Sequence, residues 1–368
     1  MLMAKRGLNI YKRKDGRWEG RFIKERRTDG KYKYGYVFAD TYGETKHKLI
    51  ERKNAWASGI SEVTASKAKL RVVGKEWLDN SATFLKESTI AKYRDYFNGY
   101  IVNALGDCNI GNITNGDLTE FCRNIMSDKG LCQSTMLSIL GVLNGIKKYA
   151  ENNGLTVNYV TDCVNFKVTR SDRRVLSSNE RLKLIKYLEN HMTRRNLGIY
   201  VALYTGIRLG ELCALRWEDI SLIEKKMHIR RTMQRIRCDD DEPTKTKIVI
   251  TPPKSECSKR TIPLLTDLCR RMKVFYNPDS YVLTGEDETY IEPRLMQYYF
   301  KNVLDACGIE DANFHALRHT FATRSVANGV DVKCLSEILG HSSVTVTLSN
   351  YVHPSMETKR KNMVKAAL

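Results

Sequence analysis

The chain has 368 residues, 42% of them hydrophobic and 28% charged, with 61 Lys and Arg against 42 Asp and Glu and a formal charge of +19. That length allows two or three domains with real cores, and the charge points to a polyanionic partner, most simply nucleic acid. No apolar run approaches a membrane span and the start MLMAKRGLNIYKRKDG has no apolar signal region, so the sequence predicts a cytoplasmic protein with no membrane partner.

Residues 1–65 carry 16 Lys and Arg against 8 Asp and Glu. NIYKRKDGRWEGRFI alternates around Asp15-Gly16, a hairpin signal, and KYKYGYVF supplies a third strand. TYGETKHKLIERKNAW then reads as a helix. Such a sheet can enter a major groove or lie along phosphates, with Arg17, Arg21, Lys31 and Lys33 as candidate contacts. A small charged cap domain is the plain alternative.

From residue 66 to 158 the period becomes helical. Ile90, Tyr93, Phe97, Ile101 and Leu105 fall at three- and four-residue spacing, and Thr114 with Asp117 makes an N-cap. MLSILGVLNGIKKYAENNG is a strong helix stopped at Gly154. Lys92, Arg94, Lys147 and Lys148 are candidate phosphate contacts, with solvated helix faces as the competing account. The stretch after Gly154 lacks a period, and the interdomain linker is placed at 159–175.

A third domain, 176–368, opens with a capping box at Ser177 and Glu180. An apolar helix ends at Thr205-Gly206, and Arg208 follows at the start of the next helix, where backbone N–H groups favour an anion. Glu211, three residues on, is expected to hold that guanidinium as a bidentate pair. KKMHIRRTMQRIR and TKIVITPPKSECSKRTIPL read as extended chain joined by an acidic turn. Lys245, Lys247, Lys254 and Lys259 compete there on position alone as the functional lysine. Residues 265–313 read as helices around a loop at GEDETYIE. Tyr298 and Tyr299 lie mid-helix.

The stretch from His315 to Tyr351 concentrates the chemistry. His315 and Arg318 are three apart and share a helix face, while His319 lies one step round beside Phe321, Ala322 and Val326. Gly329 stops that helix, and Gly340-His341 stops the next before a segment leading to Tyr351. Two guanidiniums and imidazole donors can stabilise the charge on a phosphodiester without a metal, and a phenol is a feasible nucleophile. The ten cysteines show no C-x-x-C pair and no zinc spacing, so they read as free thiols, Cys257 beside Lys254 included.

H-A-L-R-H (315–319), L-G-H (339–341) and Tyr351, with T-G-I-R-L-G-E-L around Arg208 and P-K-S-x-x-S-x-R-x-I-P-L at Lys254, resemble the tyrosine recombinase (phage integrase) family. The N-terminal module resembles, more loosely, the arm-site-binding domain of conjugative-transposon and temperate-phage integrases, and the helical region the core-binding domain. The resemblance implies a multidomain fold, mainly α with small β-sheets: a three-stranded sheet plus helix, a helical core-binding domain and a mixed α/β catalytic domain. It implies that Tyr351 attacks a phosphate to give a 3′-phosphotyrosyl link. Arg208 and Arg318 then bind the non-bridging oxygens, His315 and His341 hydrogen-bond the phosphate, and Lys254 protonates the leaving 5′-oxygen. His315 is also a candidate acceptor of the tyrosine proton. The implied reaction uses neither metal nor ATP, on double-stranded attachment sites, in a homotetramer assembled on DNA, with an excisionase and DNA-bending proteins as accessory partners. A mobile-element integrase/excisionase is the favoured reading over a chromosome-dimer resolvase, a type IB topoisomerase-like enzyme and a non-catalytic regulator.

Overall fold

The structure is a computed structural model that describes residues 9–13, 15–26, 32–57, 68–164, 166, 174–238, 243–253, 256–351, 360 and 363. The chain divides into two compact units, Met1–Val168 and Thr169–Leu368.

In the first unit, alternation builds an antiparallel sheet of β1 (Ile10–Lys12), β2 (Trp18–Arg26) and β3 (Tyr32–Ala39), with Gly20 opposite Val37 and Arg21 opposite Tyr36. Because side chains alternate across the pleat, Phe22 and Val37 point to one face and meet Leu49 of α1 (Tyr42–Ala57). The other face presents Tyr11, Arg21, Tyr34, Tyr36 and Phe38 to solvent. Arg21 stacks on Tyr11 and Tyr36 at 5.4 and 5.5 Å, and its Nε donates to Glu19 at 2.8 Å. Arg17 is exposed and paired with Asp15 at 3.0 Å. Lys31 and the Lys33 side chain lie outside the described residues.

The helical part comprises α2 (Leu70–Ala82), α3 (Glu87–Tyr96), a π turn at Phe97–Ile101, α4 (Val102–Leu105), α5 (Asn115–Lys129) and α6 (Gln133–Asn152). Thr114 and Asp117 form the expected capping box, and Gly130 ends α5 in the left-handed region. The core gathers Leu70, Trp77, Ile101, Leu118, Leu143 and Ile146. Two expectations change here. The helical domain extends past 158, because Tyr159 is fully buried and its Oη donates to the Leu143 carbonyl at 3.1 Å. Val164 and Phe166 pack on the same core, so hydrogen bonding and burial fix a stretch without a helical period. Lys147 is engaged within the protein: its Nζ donates to the Tyr159 carbonyl at 2.9 Å and lies 3.7 Å from Glu151. Lys148 and Lys92 are exposed, and Arg94 is half-buried.

The second unit is built on α7 (Ser178–Asn190), α8 (Arg194–Thr205), α9 (Leu209–Cys213), α10 (Thr266–Lys273), α11 (Pro293–Ala306) and α12 (His315–Ala327). β4 (Ile220–Ser221), β5 (Lys226–Ile229) and β8 (Arg260–Pro263) form one antiparallel sheet, and β6 (Thr232–Arg237) pairs with β7 (Thr246–Thr251) in another. α8 is buried almost along its whole length, since the unbroken buried run from Asn196 to Leu203 covers every side of it. Its neighbours in the core include Leu212, Trp217, Met227, Phe300 and Leu317. α13 (Val332–Leu339) and α14 (Val344–Tyr351) complete the unit. Among the described residues no helix is long and apolar enough to cross a membrane. The cysteines with described side chains are free thiols.

Candidate active site

Two left-handed glycines set the site. α8 ends at Gly206 (φ +64) and α13 at Gly340 (φ +65). Neither position has room for a side chain: a Cβ on Gly206 would lie 2.6 Å from Phe321, and one on Gly340 2.9 Å from Arg260. Glycine therefore lets these helix ends turn sharply against their neighbours.

The end of α13 then gathers three guanidiniums. Arg260 Nε donates to the Ile338 carbonyl at 2.6 Å, Arg318 Nη2 to the Leu339 carbonyl at 2.7 Å, and Arg208 Nη2 to the Gly340 carbonyl at 2.9 Å. Helix-end carbonyls lack intrahelical partners and carry partial negative charge, which is why three successive carbonyls can hold three cations. Arg318 also donates to the Gly206 carbonyl at 2.9 Å and is 2% exposed. Its α12 neighbours Leu317 and Thr320 are buried, which fixes its direction.

Among the described residues, one carboxylate balances this cluster directly. Glu211, 3% exposed, accepts from Arg208 Nη1 at 2.7 Å and from the Arg208 backbone N–H at 3.0 Å. The bidentate partner is a different residue from the one expected: Arg260 Nη1 and Nη2 donate to the two Glu211 oxygens at 2.9 and 2.8 Å. Arg208 is tied by one side-chain bond, because it caps the N-terminus of α9 and turns its other nitrogen to Gly340. Burial alone would raise the Glu211 carboxyl. Hydrogen bonds and charge from Arg260, then the charge of Arg208, outweigh it and hold the group below its ordinary value. Arg318 has no carboxylate in direct contact among the described residues. Burial first, then Arg208 and Arg260, push its guanidinium down to about 9, so it is still charged at neutral pH.

Beside the cluster opens a cleft of about 600 Å3 lined by Arg208, Thr232, Pro253, Ser258, His341 and Ser342 among others. His341 Nδ1 lies 2.8 Å from Thr347 Oγ1, and its ring stacks parallel to Tyr351 at 6.2 Å. Thr347 and Tyr351 are four apart on α14 and so share the face that His341 covers. Tyr351 is 7% exposed among Ala322, Leu335 and Leu339. Its hydroxyl lies 2.9 Å from His319 Nδ1, and His319 meets the exposed His315 ring edge-on at 5.2 Å.

The structure thus brings Arg208, Glu211, His315, Arg318, His341 and Tyr351 into one connected network. Lys254 lies outside the described residues. Tyr299 is engaged elsewhere, donating to Asn196 at 2.9 Å, and Tyr298 is 66% exposed. Sequence reading missed Arg260, His319 and Thr347. The R of the P-K-S-x-x-S-x-R pattern was a signal for Arg260, and the LRH triplet for His319.

Residues 174–358 match the phage integrase family, and residues 70–126 match the family's N-terminal SAM-like domain. The chain belongs to the phage integrase family. It is a tyrosine recombinase, an enzyme that recombines DNA at specific sites. A tyrosine recombinase XerC-like protein of Caldanaerobacter subterraneus subsp. tengcongensis is 26% identical over 85% of this chain and 87% of its own. The transposase from transposon Tn916 of Enterococcus faecalis is 23% identical over 96% of both. A Tn1549 transposon integrase fragment, in complex with transposon right end DNA, shares the fold of this recombinase. Its TM-score is 0.67 at 19% identity, over 82% of this chain and 100% of that one.

Proposed function

We propose that this recombinase is the integrase and excisionase of a mobile element. It acts in the cytoplasm on double-stranded attachment sites, as a homotetramer assembled on DNA. The chemistry rests on one observation above all: three guanidiniums at the end of α13, two of them sharing the Glu211 carboxylate, stand beside a cleft whose edge carries His341 and, behind it, Tyr351. That charge imbalance suits a phosphodiester, whose pentacoordinate transition state is more negative still. The mobile-element assignment rests on the basic N-terminal sheet and on likeness to the Tn916 transposase across both chains.

In this reading the Tyr351 hydroxyl oxygen attacks phosphorus and the 5′-oxygen leaves, protonated by Lys254. Arg208 and Arg318 hold the non-bridging oxygens, and His315 and His341 hydrogen-bond the phosphate. The 5′-hydroxyl of a second strand then displaces the tyrosine. The bond energy stays in the phosphotyrosine, so neither metal nor ATP is required, and excisionase and DNA-bending proteins set direction. A resolvase that acts on chromosome dimers is the second reading, favoured by the XerC-like relative.

The test is a nicked duplex carrying each candidate attachment site, with EDTA, run with the intact protein and Tyr351→Phe on a denaturing gel. A covalent adduct from the intact protein alone is expected. An undiminished adduct from Tyr351→Phe overturns the assignment of the nucleophile. Recombination of chromosomal dimer sites but not of element ends overturns the mobile-element reading.

A further inference from the structure

The hydroxyl of Tyr351 has a defined partner. It is buried at the end of α14, and His319 Nδ1 lies 2.9 Å away. A buried phenol gives its hydrogen to an acceptor, and a neutral imidazole with its proton on Nε2 offers Nδ1 as one. The two rings tilt at 45° with centroids 5.6 Å apart, so they meet through the ring edge that carries Nδ1. His319 is itself held in place. It follows the clamped Arg318 on α12, and the edge of the His315 ring, one turn back, packs against it.

We propose that His319 is a catalytic residue, the group that takes the proton from Tyr351 as it attacks. The inference rests on Tyr351 being the nucleophile, as proposed above. In the step, the phenolic O–H bond breaks and its proton passes to Nδ1 of His319, giving an imidazolium. The phenolic oxygen forms the bond to phosphorus, the bond from phosphorus to the 5′-oxygen breaks, and that oxygen takes a proton from the general acid. On rejoining, the attacking 5′-hydroxyl gives its proton back to the deprotonated general acid, and His319 returns its own to the departing tyrosine. All atoms balance, and no co-reactant is needed.

The surrounding charges make this transfer depend on substrate. Arg318, Arg208 and Arg260 gather at the end of α13 with Glu211 shared by Arg208 and Arg260, and like charges disfavour an imidazolium. A phosphodiester in the cleft adds a negative charge and offsets that penalty. A phosphate in the cleft therefore favours the proton transfer from Tyr351 to His319.

His319→Asn places an amide oxygen where Nδ1 stood, keeping a hydrogen-bond acceptor while removing the basicity. Single-turnover cleavage by the full chain is expected to fall about 100-fold, within the range for removal of a general base, with the melting temperature nearly unchanged. The same fall is expected on a duplex with sulfur in place of the bridging 5′-oxygen. A thiolate leaves without protonation, so that substrate rescues a missing general acid and leaves a missing base exposed. Cleavage by His319→Asn at or above the intact rate overturns the proposal, as does rescue by sulfur. A second measurement needs no DNA: 15N spectra of the histidines in the free protein, compared between intact, Tyr351→Phe and His319→Asn chains. An unprotonated Nδ1 that vanishes in His319→Asn and shifts in Tyr351→Phe is expected. A protonated Nδ1 at His319 overturns the proposal even where the gel shows an adduct. If no duplex yields an adduct with the intact protein, the reading of function fails, and the spectra still decide whether His319 accepts from Tyr351.

Discussion

The N-terminal sheet and the catalytic cluster both present arginines, by opposite means. Arg21 lies on an open sheet face, stacked on Tyr11 and Tyr36, and stays in water. Arg318 lies inside the protein with each terminal nitrogen bonded to a carbonyl. An exposed guanidinium is screened by salt and can follow any phosphate it meets. A buried one has already shed its water and its freedom to re-aim, so it suits one phosphate in one geometry. Open charge and buried charge are built differently.

Glu211→Gln tests this contrast hardest. It leaves Arg260 and Arg208 without their shared carboxylate, and removing one partner of a buried pair costs about 3–5 kcal/mol. The Glu211 carboxyl is depressed below its reference value of 4.5, so its stabilisation is full above that pH and lost as pH falls through the lower folded value. Denaturant melts of the intact protein are expected to weaken steeply below about pH 4.5, and those of Glu211→Gln less so. A flat profile in the intact chain would break the contrast.

Arg318→Lys comes next. It keeps a charge but has no planar fork, so cleavage in a single-turnover assay should fall roughly 100- to 1,000-fold while DNA binding holds. The same burial that depresses this guanidinium makes it a stability cost, present at neutral pH and relieved only as pH rises past about 9. Sulfate is therefore expected to raise the melting temperature of the intact protein more than that of Arg318→Met.

Smaller effects sharpen the other side. Lys147→Ala should cost about 1–2 kcal/mol by freeing the buried Tyr159 carbonyl and leave DNA affinity alone. Lys148→Ala should leave thermal stability unchanged. Arg21→Ala should change stability by less than about 0.5 kcal/mol. Its signature is in DNA titrations, where the slope of log affinity against log salt should flatten by about 0.9 for each phosphate the sheet no longer neutralises.

What the sequence reveals follows from how local each cause is. Thr114–Asp117 and Ser177–Glu180 are legible because a capping box spans four residues, and α8 ends where Gly206 says it should. The clustering of Arg208, Arg318, His341 and Tyr351 is legible as a motif. The exchange of Glu211 partners is not, because Arg260 arrives from 49 residues away on another element, β8. His319 reads as a neighbour of an apolar run until α14 folds back and sets a hydroxyl on it. Tyr159 and Lys147 fail for a related reason: a hydrogen bond to a main-chain carbonyl leaves no trace in periodicity.

The anchored end of α13 also sets a leash. Gly340 is held by Arg208, and Tyr351 closes a helix that begins at Val344. An eight-residue helix is about 12 Å long. If Tyr351 becomes bonded to a cut strand, the strand end is tethered to the anchored carbonyls by that helix and a three-residue turn. It can swivel, but it cannot drift far from the cleft.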